Sequence, residues 1–422
     1  MLTSEETEYL CRVGPDTPIG RVLRRYWIPA FQLADLPRPD CPPIAVPLLG
    51  ERFVAFRDTE GRLGFLDELC CHRGASLALG RVEDCGLRCI YHGWKYGVDG
   101  TIQETPNMPE SSRFKERVKH PAYPVREAGG LGWVYLGPPD RLPSFPEYHW
   151  FGVPQSQLLI TEMILDCNWV QVQEGSIDSS HVGILHTDSI AEIREGKGRR
   201  TGLGNLMDGF PSEDNSPRLE VENTDFGFHY AAVRQASDGE DRTYVRITPF
   251  IMPFITYIPP TSNNIVIVVP RDNWTTSSIG VRVNPTDEPI DLWAAWRAQG
   301  VDDPEVWGPE PERRRVRLPA QDRPAMEEGR SFAGIQGIRM QDAVVQSSMG
   351  RIYDRRNEHL VPADVGIIRM RRLLIESARR VDQGEDPIGL DRPVDAAKIE
   401  AASGTIPADV PWQSLVPGNR AV

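Results

Sequence analysis

The chain has 422 residues, 40% of them hydrophobic and 25% charged, with a formal net charge of −13. That balance is ordinary for a globular protein, argues against nonspecific nucleic-acid binding, and leaves no apolar run long enough for a membrane span. Seven scattered cysteines are not a disulfide framework and fit a reducing cytoplasm, and the acidic N-terminus lacks the apolar segment of a signal peptide.

In chain order, a helix is expected over 4–13, capped by Thr3 or Ser4, and a second over 20–28. A proline-rich connection then closes an N-terminal helical segment, 1–43, expected to pack on the domain that follows last. Short β-rich runs at 45–49, 53–57 and 63–67, a hairpin across Asp99-Gly100, and runs at 121–127 and 131–136 make 44–140 a small all-β domain. After the Pro138-Pro139 linker, 141–422 mixes longer strands with helices. A strand is expected at 158–166, and 167–186 reads largely helical. A glycine-rich loop or lid covers 187–217. Strands at 219–233, 243–257, 264–269 and 277–284 alternate well enough for an antiparallel sheet. Helices are expected at 291–298, 338–350 and 363–381, the last with Asp364 as cap, and a charged excursion at 301–329. The tail after Asp386 reads as surface wrapping. The fold class is α+β.

Two stretches carry chemistry. The first is Cys70-x-His72, sixteen residues, then Cys89-x-x-His92. Each loop offers one thiolate and one imidazole. Structural zinc accepts such a set; so does a [2Fe-2S] cluster with two Cys on one iron and two His on the other. Gly74 and Gly93, which let backbone approach bridging sulfides, and the flanking Trp94 and Tyr96 favour the cluster. The second stretch is Glu174, Asp178, His181 and His186. On an ideal helix these four lie within about 140° of arc and so share one side. Two His and a carboxylate leave positions open on ferrous iron, as in non-haem oxygenases. The plainer alternative is a helix whose histidines are ordinary core or surface groups.

With the flanking Gly93-Trp94, the first stretch resembles the Rieske signature. Together with CNWVQVQEGSIDSSHVGILH and QDAVVQSSMGRIYDRRNEHL, nearly the whole chain resembles the large subunit of Rieske non-haem iron aromatic-ring oxygenases. It is most similar to the phthalate-dioxygenase-like group, which has no small subunit. The resemblance implies an all-β Rieske [2Fe-2S] domain and a catalytic domain of antiparallel sheet and helices, helix-grip and START-like. It implies that Cys70 and Cys89 hold one cluster iron and His72 and His92 the other. It further implies that His181, His186 and Asp342 hold a mononuclear Fe(2+), and that Asp178 bridges His181 to a cluster histidine of a neighbouring copy, His92 being favoured. Homotrimers or dimers of trimers follow. An NADH-dependent flavin/iron-sulfur reductase supplies electrons, and O2 oxidises an aromatic substrate by ring hydroxylation, dihydroxylation or oxidative O-demethylation. Cys71 stands where the family pattern usually has proline. A carboxylated substrate calls for a cation: Arg246, in an alternating strand, is the first candidate and Arg218 and Arg234 weaker ones, with Ile251, Phe254 and Ile255 as apolar wall. Two other readings are a Rieske-type electron carrier and a zinc-stabilised ligand-binding protein.

Overall fold

The computed structural model describes residues 2–109, 111–188, 216–236, 240–284 and 314–416. The first helix, α1 (Ser4–Cys11), opens on a capping box in which Thr3 and Glu6 each accept from the other's backbone amide. The next, α2 (Pro18–Leu23), begins on Thr17, whose hydroxyl accepts from Gly20 N, with proline where the missing N–H costs nothing. It stops short of the expected end. The chain instead extends into a strand, β1 (Ile28–Gln32), inside what reads from sequence as connection.

Nine further short strands follow: β2 (Ile44–Leu48), β3 (Glu51–Arg57), β4 (Leu63–Asp67), β5 (Arg81–Glu83), β6 (Gly86–Arg88), β7 (Lys95–Tyr96), β8 (Ile102–Glu104), β9 (Val125–Ala128) and β10 (Leu131–Val134). With β1 they form three antiparallel sheets, ordered β1-β10-β9, β2-β3-β4 and β5-β6-β7-β8. A separate apolar cluster, including Val54, Phe56, Leu77, Leu87 and Trp94, lies under the loops after β4 and β6 and takes in Cys70 and Cys89.

The larger unit starts at β11 (Leu158–Leu165), followed by α3 (Trp169–Ile177) and the one-turn α4 (Val182–Leu185). Then come β12 (Arg218–Thr224), β13 (Gly227–Gln235), β14 (Arg242–Ile251), β15 (Ile255–Tyr257), β16 (Asn264–Pro270) and β17 (Thr276–Val283). Helices α5 (Arg323–Glu327), α6 (Ile338–Ser348) and α7 (Val365–Asp382) and a last strand, β18 (Ala402–Pro407), complete the described elements. The sheet runs β11-β17-β16-β15-β14-β13-β12, with α3 and α6 covering the face that carries the site. The N-terminal helices are tied to α7: Arg21 Nη2 donates to Asp382 Oδ1 at 2.6 Å and Tyr9 Oη to Oδ2 at 3.1 Å.

Several expectations change. The run 219–233 is a hairpin, β12 and β13, turning at 225–226. The run 243–257 is broken at 252–254 into β14 and the short β15. Because β15 pairs only with Phe250 and Ile251, the stretch 242–247 of β14 is left as an open edge, and the tail fills it: β18 pairs with Arg242 to Ile247. So Ala402–Pro407 of the tail is sheet, not surface wrapping. Asp364 precedes α7, but its carboxylate accepts from Val361 N at 2.7 Å instead of capping α7. Most of 187–217, the part 301–313 of the run 301–329, and all of 291–298 lie outside the described residues. Among the described residues no helix is long and apolar enough to cross a membrane.

Candidate metal centres and active site

The loops after β4 and β6 present the first set. Each is a tight turn closed on its own cysteine: Gly74 N donates to Cys70 O at 2.8 Å and Gly93 N to Cys89 O at 3.0 Å. Both glycines have positive φ, 72° and 76°, a conformation that costs other residues. Cys70 and Cys89 are buried at 3% and 1% exposure. The rings of His72 and His92 stand 4.5 Å apart, and His72 stacks on Trp94 at 4.6 Å. His72 Nδ1 is buried without a hydrogen-bond partner, as expected of an atom aimed at a metal. Tyr96 Oη lies 2.9 Å from Cys70 Sγ and 3.5 Å from Cys71 Sγ.

The spacing separates the two metal readings. A single zinc at bonds of roughly 2.0–2.3 Å draws its ligand atoms to within about 4 Å of one another. Among the described residues, three or more such atoms meet within 4.8 Å in two places, His181–His186–Asp342 and Asp58–Glu60–Cys85. No three of Cys70, His72, Cys89 and His92 do so, and a two-iron cluster needs that wider spread.

The second set is not on one helix. α3 is anchored at its start by Asn168, whose side chain accepts from Val170 N and donates to Cys11 O and Asn273 O. The helix stops at Ile177, and Asp178 is extended, with ψ 124°. His181 and His186 then bracket α4 as its N- and C-caps. The break also disposes of Glu174. Instead of sharing a side with the histidines, it faces away and binds Arg355 and Arg371, 2.7 Å from the latter. The cause is Asp178, whose Oδ1 accepts from both Ser180 N and Ser180 Oγ at 2.7 Å and turns the chain outward.

The break lets the histidines converge with Asp342 of α6. Asp342 Oδ1 is 3.5 Å from His181 Nε2 and 3.2 Å from His186 Nε2. Cis ligands of a first-row ion at roughly 2.1 Å are about 3 Å apart, so the set fits such an ion. Both outer nitrogens are held: His181 Nδ1 by Asp178 Oδ2 at 2.9 Å, His186 Nδ1 by Gln341 Oε1 at 2.7 Å. Gln341 is itself fixed by donating to Ile335 O at 2.8 Å. These bonds leave each Nε2 facing inward. Burial opposes a charge on His181, yet its hydrogen bonds to Asp178 and Asp342 carry its pKa up to about 10. Burial likewise opposes charge on Asp342, but the two imidazoles hold it well below the usual carboxylate range. The site is built for a cation.

Beside it opens a cavity of about 130 Å³, with Met163, Leu165, Ile258 and Val266 among its apolar lining. A cavity of ~150 Å³ takes up benzene, so one substituted ring is the right size. Arg246 lines it from β14 at 4% exposure, donating to Pro259 O at 2.7 Å. Arg246 is thus a buried strand residue that faces the cavity. Arg234 binds Ser179 O and Arg218 pairs with Glu220; neither lines the cavity. Ile251, Phe254 and Ile255 belong to the general core, not to this wall. Sequence reasoning missed Gln341, Arg282 and Arg339. The signals were present: Arg282 ends a period-two face, Ser278-Gly280-Arg282, on a buried strand, and Arg339 precedes Asp342 by one helical step.

A Rieske [2Fe-2S] domain model matches residues 26–124, and the model described as LigXa C-terminal domain like matches 134–420. The chain belongs to the Rieske non-haem iron oxygenases and is the oxygenase subunit of such a system, with a [2Fe-2S] cluster and a mononuclear iron as cofactors. It is 38% identical to the phthalate 4,5-dioxygenase oxygenase subunit of Pseudomonas putida over 98% of this chain and 94% of that one. With the 5,5'-dehydrodivanillate O-demethylase oxygenase subunit of Sphingobium it shares 30% identity over 93% and 84%. The structure of dicamba monooxygenase superposes with a TM-score of 0.57, covering 86% of this chain and 99% of the other, at 16% identity. That likeness speaks for the fold. An oxygenase of this class works with a reductase on an aromatic compound, so the electron-carrier and zinc-binding readings are set aside.

Proposed function

We propose that this oxygenase acts on an aromatic acid, either adding oxygen to the ring or hydroxylating a ring methyl ether. The observation that carries the reading is Arg246, a buried cation in the same cavity as His181, His186 and Asp342. The names of the relatives, phthalate and dehydrodivanillate among them, agree with it. Ring dihydroxylation consumes O2, two electrons and two protons to give a diol. Demethylation consumes the same and releases formaldehyde and water. NADH, through a separate flavin/iron-sulfur reductase, supplies the electron pair.

In this reading Cys70 and Cys89 hold one iron of the cluster and His72 and His92 the other, while His181, His186 and Asp342 hold the mononuclear iron. When bound, these centres supply the single-electron chemistry that activates O2 beside the ring. The chain's own groups do the rest. Gln341 and Asp178 accept the Nδ1 protons of His186 and His181 and so select the tautomer with Nε2 free. Arg246 takes the carboxylate and sets which ring carbon faces the metal, and the apolar wall excludes water. Asp178 also accepts from His92 of a neighbouring copy in a head-to-tail ring of three. Its carboxylate is 18% exposed, and the weakest of its four bonds, from His181 N at 3.3 Å, is the one a second imidazole replaces.

The test is aerobic turnover of aromatic acids, their methyl ethers and uncharged analogues with NADH and a surrogate reductase, products read by mass. Acids and acid ethers should be oxidised at least tenfold faster in kcat/KM than their amides or methyl esters. Equal rates across the charged and uncharged panel would overturn the reading.

A further inference from the structure

The chain between α5 and α6 forms neither helix nor strand. Yet it carries an atom on which the metal site depends. Ile335 O receives Gln341 Nε2 at 2.8 Å, and the other end of that amide receives His186 Nδ1 at 2.7 Å. In a helix or a sheet, a carbonyl is placed by its ladder. In a loop it is placed by whatever bonds the loop makes.

Those bonds lead back to the histidine. Two residues after His186, the Asp188 carboxylate accepts from Ser331 Oγ at 2.8 Å and from Phe332 N at 2.8 and 3.1 Å. Ser331 Oγ in turn accepts from Gly334 N at 3.0 Å, one residue before Ile335. The path therefore closes on itself: His186, Gln341, Ile335, Gly334, Ser331, Asp188, and back along the chain to His186. The contacts onto Asp188 span 143 and 144 residues, so they form only in the folded molecule. Asp188 neither lines the cavity nor joins the three groups that converge on the metal position. Its carboxylate is given to a hydroxyl and an amide of the loop, and a charged acceptor holds such donors more firmly than a neutral one.

We propose that Asp188 is a positioning residue for the mononuclear metal: it clamps the segment 331–335, and through Ile335 O and Gln341 it fixes the ring of His186. This rests on the reading that His181, His186 and Asp342 hold iron. Without the clamp, Gln341 loses a fixed acceptor for its N–H, its amide turns, and the imidazole N–H of His186 loses its partner.

The experiment is anaerobic titration of the metal-depleted protein with ferrous iron, the visible spectrum of the cluster being followed alongside. Asp188→Ala should weaken iron binding ~10-fold and leave the cluster spectrum unchanged. Asp188→Asn, whose side-chain oxygen still accepts from Phe332 N, should stay within about threefold of the parent. Ser331→Ala removes the hydroxyl shared by Asp188 and Gly334; it should weaken iron by about threefold, and it carries the test should Asp188→Ala fail to fold. The combination of Asp188→Ala with Gln341→Leu separates a path through Gln341 from a general loosening. Acting through Gln341, the pair should bind iron within about twofold of Gln341→Leu alone. If the two losses multiply instead, or if Asp188→Ala and Ser331→Ala both bind iron as the parent does, the clamp is wrong while the ligand assignment stands. If His186→Ala binds iron as tightly as the parent, the ligand assignment fails and the clamp falls with it.

Discussion

Gln341 shows how much of a metal site rests on one neutral side chain. It is 1% exposed and links His186 Nδ1 to Ile335 O through its two amide atoms. Replacing it with leucine leaves a buried imidazole N–H without an acceptor and frees the ring to rotate. Gln341→Leu should lower affinity for ferrous iron by roughly 10- to 100-fold, with the visible spectrum of the cluster unchanged. Gln341→Glu, which still accepts at Nδ1, should recover part of the loss. Iron titration of the metal-depleted protein reads both, and unaltered affinity in the leucine variant would remove Gln341 from the site. Asp178 is the corresponding anchor for His181, but it also ends α3, so substitutions there mix two effects.

At the scale of elements, the site depends on where α3 stops and on what holds it. Glu174, one turn before the break, receives Arg355 and Arg371, whose side chains are 0% and 4% exposed, and Arg371 continues to Glu358 at 2.6 Å. This network ties α3 to α7 beneath the site. Removing one member of a buried ionic set costs about 3–5 kcal/mol, because the remaining charges stay buried without a partner. Glu174→Ala should therefore lower the unfolding midpoint of the catalytic unit by roughly 5–10 °C and reduce iron retention, although Glu174 touches no metal ligand. A melt within a degree of the parent would show that the arginines find other acceptors. Replacing Glu174 and Arg355 together by apolar residues should be far milder than Glu174→Ala alone, since no charge is then stranded.

The whole molecule has two centres with separate surroundings. The cysteines and Trp94 sit in their own apolar cluster, while His186 and Asp342 are carried by elements of the main sheet and its helices. Loss of one centre should therefore stay local. Cys89→Ser should abolish the visible absorption of the cluster and all turnover, yet leave iron bound at His181, His186 and Asp342 and the far-ultraviolet dichroism of the catalytic unit intact. Visible absorption near the parent's intensity in that variant would defeat the assignment of Cys89 to the cluster. The N-terminal segment serves both units at once: α1 and α2 bind α7, and β1 pairs with β10 along Ile28–Val134 to Gln32–Leu131. A change in β1 is thus expected to loosen the join between the units.

What was legible in the sequence was local chemistry. The spacing of Cys70, His72, Cys89 and His92 is set by two tight turns, so near neighbours in the chain are near neighbours in space. His181 and His186 were legible for the same reason, as was the alternation that put Arg246 on a strand facing inward. The helix drawn through Asp178 was wrong because periodicity does not register a side chain that binds its own backbone two residues on. Other features depend on partners far along the chain. The bond from Gln341 to His186 spans 155 residues. The open edge of β14, which recruited the tail as β18, exists only because β15 is short. That Arg246, Arg282 and Arg339 line one cavity becomes visible only once the fold brings β14, β17 and α6 together. Spacing along the chain determines which groups lie within one turn of each other; only packing between distant segments decides which of them meet in one cavity.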